Sequence, residues 1–223
     1  TEEGQIIKMG KYRLHVLIIS FVFLLTPIIH SAEEPFITLR SSYKDLSISQ
    51  VQLMSNISIR ERGDWGFCGH STINNRYEKL SIRGDSVVVN HATGLMWHQS
   101  GSDDYITWNN AYEWIRDLNN RGYAGCHDWR LPTVEEAASL LESRNRNGVK
   151  PYIDPLFSYK QWEIWTGDKI DSMDGAWCIG FDDGSVHWST VSSVNFVRPV
   201  RSGKMFPPSC LMGSLDCFWM TSM

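Results

Sequence analysis

The sequence predicts a mixed α+β fold, because two strand pairs with tight turns flank two segments of helical spacing. The first pair is 86–90 and 95–97, with Gly94 in the turn where a positive φ is needed. The second pair is 176–181 and 185–189, joined by the turn Asp182-Asp183-Gly184. The order of hairpin, helix, helix and antiparallel strands excludes a parallel sheet of alternating strands and helices.

The first helix is predicted to begin after Thr107, which stands at the N-cap position. Apolar residues then recur three and four positions apart, which places them on one face of a helix. Gly122 is expected to end this helix. The residues of the apolar face are Trp108, Ala111, Tyr112, Ile115 and Leu118.

The second helix has a sharply defined start in the motif DWRLPT at 128–133. Pro132 keeps Leu131 extended, so the helix cannot begin earlier. Thr133 and Glu136 have the spacing of a capping box, in which each side chain satisfies a backbone N–H of the other residue. Downstream, the apolar side of this helix is expected to comprise Ala137, Ala138, Leu140 and Leu141.

A final strand is predicted at 196–201, where Pro199 lacks the N–H of a central strand and therefore indicates a sheet edge. Residues 33–85 are interpreted as a packing segment with a short helix after Asp45 or Ser47. Residues 204–223 are interpreted as an irregular tail outside the domain at 86–203. Trp97, Trp129 and Trp177 lie in apolar motifs and are expected in the core.

Residues 1–32 are interpreted as a leader and a signal peptide. Lys11 and Arg13 precede an apolar run from Leu14 to Ile29, and Ser31-Ala32 offers a cleavage site, as in exported proteins. The alternative is an uncleaved anchor, since the uncharged stretch approaches the ~20 residues that span a bilayer. The protein is thus expected in the periplasm, on the cell surface or outside the cell.

The net charge of -4 gives no general attraction for nucleic acid, so no nucleic-acid partner is expected. None of the five cysteines has CxxC spacing, which disfavours zinc and thioredoxin-type chemistry. Cys126 and Cys178 are interpreted as buried thiols, although export permits disulfides whose pairing the sequence leaves open.

Several motifs resemble one known family. They are ATGLMW at 92–97, TW at 107–108, YAG at 123–125, DWRLPT at 128–133, YIDP at 152–155 and FVRPVRS at 196–202. In this order they resemble the C-terminal domain of the Lcl collagen-like adhesins. The resemblance implies a C-type-lectin-like fold with two helices and short antiparallel strands, in an exported bacterial protein. It also implies adhesion to a ligand such as a sulfated glycosaminoglycan.

The predicted function is therefore a non-catalytic module that binds a surface or extracellular glycan or protein. Cations expected to contact a sulfated ligand are Arg130, Arg144, Arg146, Lys150, Arg198 and Arg201. Arg130 has a structural alternative, as a tie to Asp128 or to a backbone carbonyl. Trp162, Trp165 and Trp188 are predicted platforms for stacking on a sugar ring, with burial in the core as their alternative.

No metal or cofactor is expected. Loop aspartates between Asp168 and Asp183 are of the type that binds calcium, but they match no calcium-loop spacing. Two alternative functions stay open. One is an enzyme on the scaffold of the formylglycine-generating enzymes, using Cys126 with Cys178 or a pair of carboxylates. The other is a structural protein of the cell envelope, which would expose a contiguous apolar patch.

Overall fold

The computed structural model of the chain describes residues 36–143 and 151–203. The predicted signal peptide, the tail 204–223 and the cations Arg144, Arg146 and Lys150 lie outside the described residues. From Phe36 onward the described chain belongs to one compact unit.

Most strands of this unit join two sheets in which almost all neighbours are antiparallel. In chain order the strands are β1 (Asp45–Leu46), β2 (Ile57–Gly63), β3 (Gly66–Ser71), β4 (Tyr77–Ile82), β5 (Asp85–Asn90), β6 (Leu95–His98), β7 (Ile106–Thr107), β8 (Glu163–Ile170), β9 (Gly175–Gly180), β10 (Ser185–Thr190), β11 (Val194–Asn195) and β12 (Val200–Ser202). The larger sheet has the order β1-β8-β9-β10-β3-β2, and the smaller has the order β12-β6-β5-β4. Strands β7 and β11 pair separately, and β1 runs parallel to β8.

The described residues also form three helices, which lie between the strands. They are α1 (Ile48–Val51), α2 (Trp108–Asn120) and α3 (Val134–Ala138), and a 3₁₀ turn follows α2 at Tyr123–Gly125. The α+β class predicted from the sequence is therefore confirmed.

The predicted capping box is confirmed at the start of α3. The Glu136 amide donates to Thr133 Oγ1, and the Glu136 carboxylate accepts from the Thr133 amide at 2.9 Å. A second capping box, between Ser47 and Gln50, begins α1 at the predicted place. Helix α2 also begins after Thr107, but the Thr107 side chain makes no capping hydrogen bond, which corrects its predicted role.

Within the larger sheet, strand β9 is buried on both faces, which explains its continuous apolar run. Trp177 and Ile179 enter one hydrophobic cluster, together with α3. Ala176 and Cys178, which alternate with them, enter a second cluster with α2. Side chains alternate across a strand, so β9 contributes to two cores at once. Trp97, Trp129 and Trp177 are buried as predicted.

Three predicted elements differ from the structure in length or exposure. Helix α3 ends at Ala138, although Leu140 and Leu141 beyond it are still buried. The last strand is shorter than predicted, since β12 begins only at Val200, but it is an edge strand as Pro199 indicates. Tyr112, assigned to the apolar face of α2, is 37% exposed.

The segment before residue 86 contributes more than a packing helix. Strands β2 and β3 extend the larger sheet beyond β10, and β4 extends the smaller sheet beyond β5. These strands are missing from the sequence prediction because their residues are mostly polar, and β4 is nowhere fully buried. Within the described residues, no helix has the length and apolar character needed to cross a membrane.

Candidate functional site

A groove of about 220 Å³ opens between the β2–β3 hairpin and β10. Trp65, at the hairpin turn, is 63% exposed. Its ring centroid lies 5.0 Å from that of Trp188, with the two planes inclined by 31°. The outer face of an indole is thus presented to solvent on a supporting aromatic ring. Beside Trp65, the groove is lined by Glu61, Arg62, Phe67, Cys68, Ser185 and His187.

Glycine lets the hairpin approach β10 closely enough to form this groove. Gly66 pairs with Gly63 across the turn and with His187 on β10. A Cβ at Gly66 would lie 1.9 Å from the carbonyl oxygen of Val186, a distance at which atoms cannot coexist. The groove therefore depends on a residue without a side chain at this position.

Polar side chains near Trp65 can form hydrogen bonds with a bound molecule. Glu61 and Arg62 are exposed on the same hairpin. Arg62 Nη1 donates to Gln52 Oε1 at 2.7 Å, which holds the guanidinium against α1. A polar guanidinium held in place thus lies on the same hairpin as the exposed Trp65 ring.

A cluster of potential metal ligands lies next to the groove, on three adjacent strands. Glu163 of β8, Cys178 of β9 and His187 of β10 bring one ligand-type atom each to within 4.8 Å of the others. The strand register explains this convergence. His187 is directly opposite Cys178, while Glu163 is opposite Gly180, two residues from Cys178 and so on the same face of the sheet.

Hydrogen bonds fix the members of this cluster. His187 Nε2 lies 3.3 Å from Glu163 Oε1, and His187 Nδ1 lies 3.1 Å from Ser185 Oγ. The amide of Asn195 donates to Cys178 Sγ at 3.2 Å. Burial, followed by the charge of Glu163, raises the pKa of the Cys178 thiol well above its ordinary value. The sulfur is therefore unreactive on its own.

The three predicted cations that the structure describes are engaged inside the fold. Arg130 forms a two-pronged ion pair with Glu136 at 2.6 and 2.7 Å, and it donates to the carbonyl of Leu131. Arg201 pairs with Asp128 at 2.6 Å and is only 5% exposed. Both guanidinium groups therefore have carboxylate partners within the fold, which favours the structural alternative considered for Arg130.

Arg198 is fully buried, which also removes it from any surface patch. Its guanidinium donates to the carbonyls of Gln99 and Ser158 and lies 5.0 Å from the centre of the Phe157 ring. Burial lowers its pKa to about 9. The residue stabilises the loop before β12 instead of meeting a sulfated ligand.

The three predicted stacking tryptophans have different positions. Trp165 is fully buried, and its indole N–H donates to the Ile106 carbonyl at 2.7 Å, so it is a core residue. Trp162 is 38% exposed and donates to Tyr105 Oη at 2.9 Å. Trp188 is partly buried and stacks against Trp65, but it is not among the residues that line the groove. Of the three, only Trp188 contacts Trp65, and Trp162 lies at a separate surface position.

Trp65, Glu163, Cys178 and His187 were not assigned to a binding or metal site from the sequence. Trp65 lies in a polar segment that predicted no strand, although the sequence GDWG at 63–66 is typical of a turn that exposes its side chains. The pairing of Cys178 with His187 follows from the turn at 182–184, since those residues are opposite each other in a hairpin. Nothing local in the sequence places Glu163 beside them.

The fold and the groove define an α+β domain with an exposed aromatic depression on its larger sheet. The chain belongs to the Lcl C-terminal domain family, whose model matches residues 86–201, slightly more than half of the 223 residues. A comparison with curated proteins gives no match.

Proposed function

We propose that this protein is an exported, non-catalytic module that binds a surface or extracellular glycan or protein ligand through the groove at Trp65. The observation that carries the proposal is the exposed indole of Trp65 lying on Trp188. Leaving a large apolar ring in water costs free energy that a ligand recovers by covering it. The apolar face of a sugar ring, or an apolar peptide side chain, suits such a surface.

Family membership supports the extracellular part of this proposal. The adhesins that carry this family's domain are exported, and the predicted signal peptide at 1–32 agrees with export. A C-type-lectin-like arrangement is part of the same proposal. It is supported by the two mainly antiparallel sheets and by helix α2, which packs in the same hydrophobic cluster as strands of both.

The shape of the groove supports binding over catalysis. Its volume of about 220 Å³ is below the roughly 300–1,000 Å³ of pockets that enclose a small-molecule substrate. The cysteines considered for the enzyme alternative, Cys126 and Cys178, are both buried, and burial raises the pKa of each thiol. A thiol of this kind is a poor nucleophile at neutral pH.

The test is a screen of the full chain on an array of neutral and sulfated glycans, with and without a calcium chelator. For the glycans retained, Trp65→Ala is expected to weaken binding by about 30-fold, because a central aromatic contact contributes about 2 kcal/mol. Trp162→Ala is the matched control, since it removes an exposed indole far from the β2–β3 hairpin in sequence and outside the groove lining.

Equal retention of Trp65→Ala and the unaltered chain would contradict the groove as the binding surface. A separate variant, Arg144→Ala with Arg146→Ala, addresses sulfated glycans. If only this double variant loses retention on heparin, the ligand is recognised by these two arginines and not by the groove.

A further inference from the structure

We propose that Glu163, Cys178 and His187 form a binding site for a single Zn²⁺ ion, with the fourth coordination position open. A thiolate, an imidazole and a carboxylate are the three ligand types that proteins offer to zinc. Three protein ligands and one free position are typical of zinc sites that bind an exchangeable molecule.

The geometry of the cluster is close to that of a zinc site. Two ligands about 2.0–2.1 Å from zinc and at the tetrahedral angle are roughly 3.4 Å apart. His187 Nε2 and Glu163 Oε1 are separated by 3.3 Å. Cys178 Sγ lies within 4.8 Å of both ligand atoms, so small side-chain rotations bring the sulfur to its bonding distance.

The hydrogen bonds that hold these three side chains also resemble those around the ligands of a metal site. A histidine that binds a metal usually fixes its ring through the other nitrogen, and His187 Nδ1 has Ser185 Oγ at 3.1 Å. A thiolate is stabilised by an N–H directed at the sulfur, and Asn195 supplies one at 3.2 Å. A simple ion pair would account for the contact between Glu163 and His187. It would not account for the position of the Cys178 sulfur and the Asn195 amide beside that pair.

The site is accessible from one side. The Cys178 side chain is fully buried, whereas those of Glu163 and His187 keep 16% and 28% exposure. His187 also lines the groove beside Trp65, so the fourth position is expected at the groove side of the ion. The mixed donor set favours zinc over calcium and magnesium, which prefer sites made entirely of oxygen ligands.

Cobalt provides a direct test, because Co²⁺ occupies zinc sites and reports its ligands in its absorption spectrum. The full chain, first stripped with a chelator, is titrated with Co²⁺. The proposal expects saturation at one equivalent, a thiolate-to-cobalt charge-transfer band and intense visible bands of tetrahedral cobalt. One equivalent of Zn²⁺ should remove these bands, since zinc binds more tightly than cobalt.

Cys178→Ser is expected to abolish the charge-transfer band, while Cys126→Ser leaves it unchanged. Cys126 is the matched control, because it is a buried free thiol in the same hydrophobic cluster but outside the metal cluster. Glu163→Gln and His187→Gln alter partly exposed residues, which makes them less damaging to folding. Each should weaken Co²⁺ binding by at least about 100-fold, more than the 10–100-fold typical of losing an outer partner.

Near-UV circular dichroism of every variant shows whether its fold is intact. Absence of the charge-transfer band in the unaltered chain, or its persistence in Cys178→Ser, overturns the proposal. Undiminished affinity in folded Glu163→Gln and His187→Gln overturns it as well. None of these results depends on ligand binding at Trp65, so the two proposals fail separately.

Discussion

Asp168 and Arg40, which are 128 positions apart, form a two-pronged ion pair in which both N–O distances are 2.8 Å. The same carboxylate accepts the amides of Lys44 and Val134, each at 2.7 Å. The Val134 amide is one of the N–H groups that α3 leaves unpaired at its start. A single buried side chain therefore joins the segment before β1, strand β8 and helix α3.

Replacing this carboxylate is expected to cost much of the protein's stability. Asp168→Asn removes the charge from a fully buried position and leaves Arg40 without its main partner. Breaking a buried pair from one side costs about 3–5 kcal/mol, and the lower end applies because Arg40 keeps 13% exposure. Chemical denaturation followed by circular dichroism measures the change.

The matched control is Asp103→Asn, the same substitution in the exposed ion pair with Lys160. It should leave the denaturation midpoint unchanged, because exposed pairs contribute little. Equal midpoints for the two variants would mean that Asp168 does not hold these elements together.

The two capping boxes of the chain allow a second comparison. Thr133→Ala removes a fully buried hydroxyl that accepts from the Glu136 amide and donates to the Arg40 carbonyl at 2.8 Å. Ser47→Ala removes the equivalent group from an exposed helix. We expect a loss of about 1–2 kcal/mol for Thr133→Ala and a smaller loss for Ser47→Ala. Thermal denaturation of both variants tests this order, and the reverse order would contradict it.

Local patterns predicted the parts of the fold that neighbouring residues determine. The capping box at Thr133 and the turns at Gly94 and Gly184 require particular residues at fixed spacing, and both glycines have positive φ. The ion pair of Asp168 was not predictable in this way. Its partner comes from a distant segment, and Asp168 lies where the pairing of β8 with β9 is irregular. From sequence alone it resembled a solvated loop aspartate.

The imidazole of His98 makes stability depend on pH. It is 6% exposed, stacks on Tyr123 with centroids 4.1 Å apart, and accepts the Gly101 amide at Nδ1. Burial, followed by the charges of Arg198 and Arg121, lowers its pKa to about 3. The ordinary value in the unfolded chain is about 6.5.

Between pH 6.5 and 3 the unfolded chain therefore binds a proton that the folded protein does not, so stability falls as pH falls through this window. His98 should lower the free energy of unfolding by about 2 kcal/mol between pH 7 and pH 5. Urea denaturation at several pH values measures the slope. The variant His98→Gln should show a shallower slope, and an unchanged slope would exclude His98 as its source.

The described cysteines should differ in their reaction with thiol reagents. Cys68 is partly exposed in the groove, whereas Cys126 and Cys178 are buried. Iodoacetamide should modify Cys68 in the native protein and reach Cys178 only after unfolding. Peptide mass spectrometry locates each modification. Rapid native labelling of Cys178 would show that the core around β9 opens without unfolding.

Sequence patterns identified the kind of residue in the candidate site better than its location. None of the tryptophans singled out lines the groove, and Trp65, which does and which stacks on Trp188, was not among them. Periodicity separates apolar from polar faces, but it does not distinguish a fully buried Trp165 from a half-exposed Trp162 three residues away. That distinction depends on which strands cover each face.

The strands that precede residue 86 have a practical consequence. A fragment limited to the family match at 86–201 would lack β3, which pairs with β10, and β4, which pairs with β5. Strands β10 and β5 would then become edge strands whose backbone N–H and C=O groups are unpaired. Exposed edge strands of this kind pair with strands of other molecules. Such a fragment is expected to self-associate. A recombinant fragment of this protein should therefore start at or before Phe36.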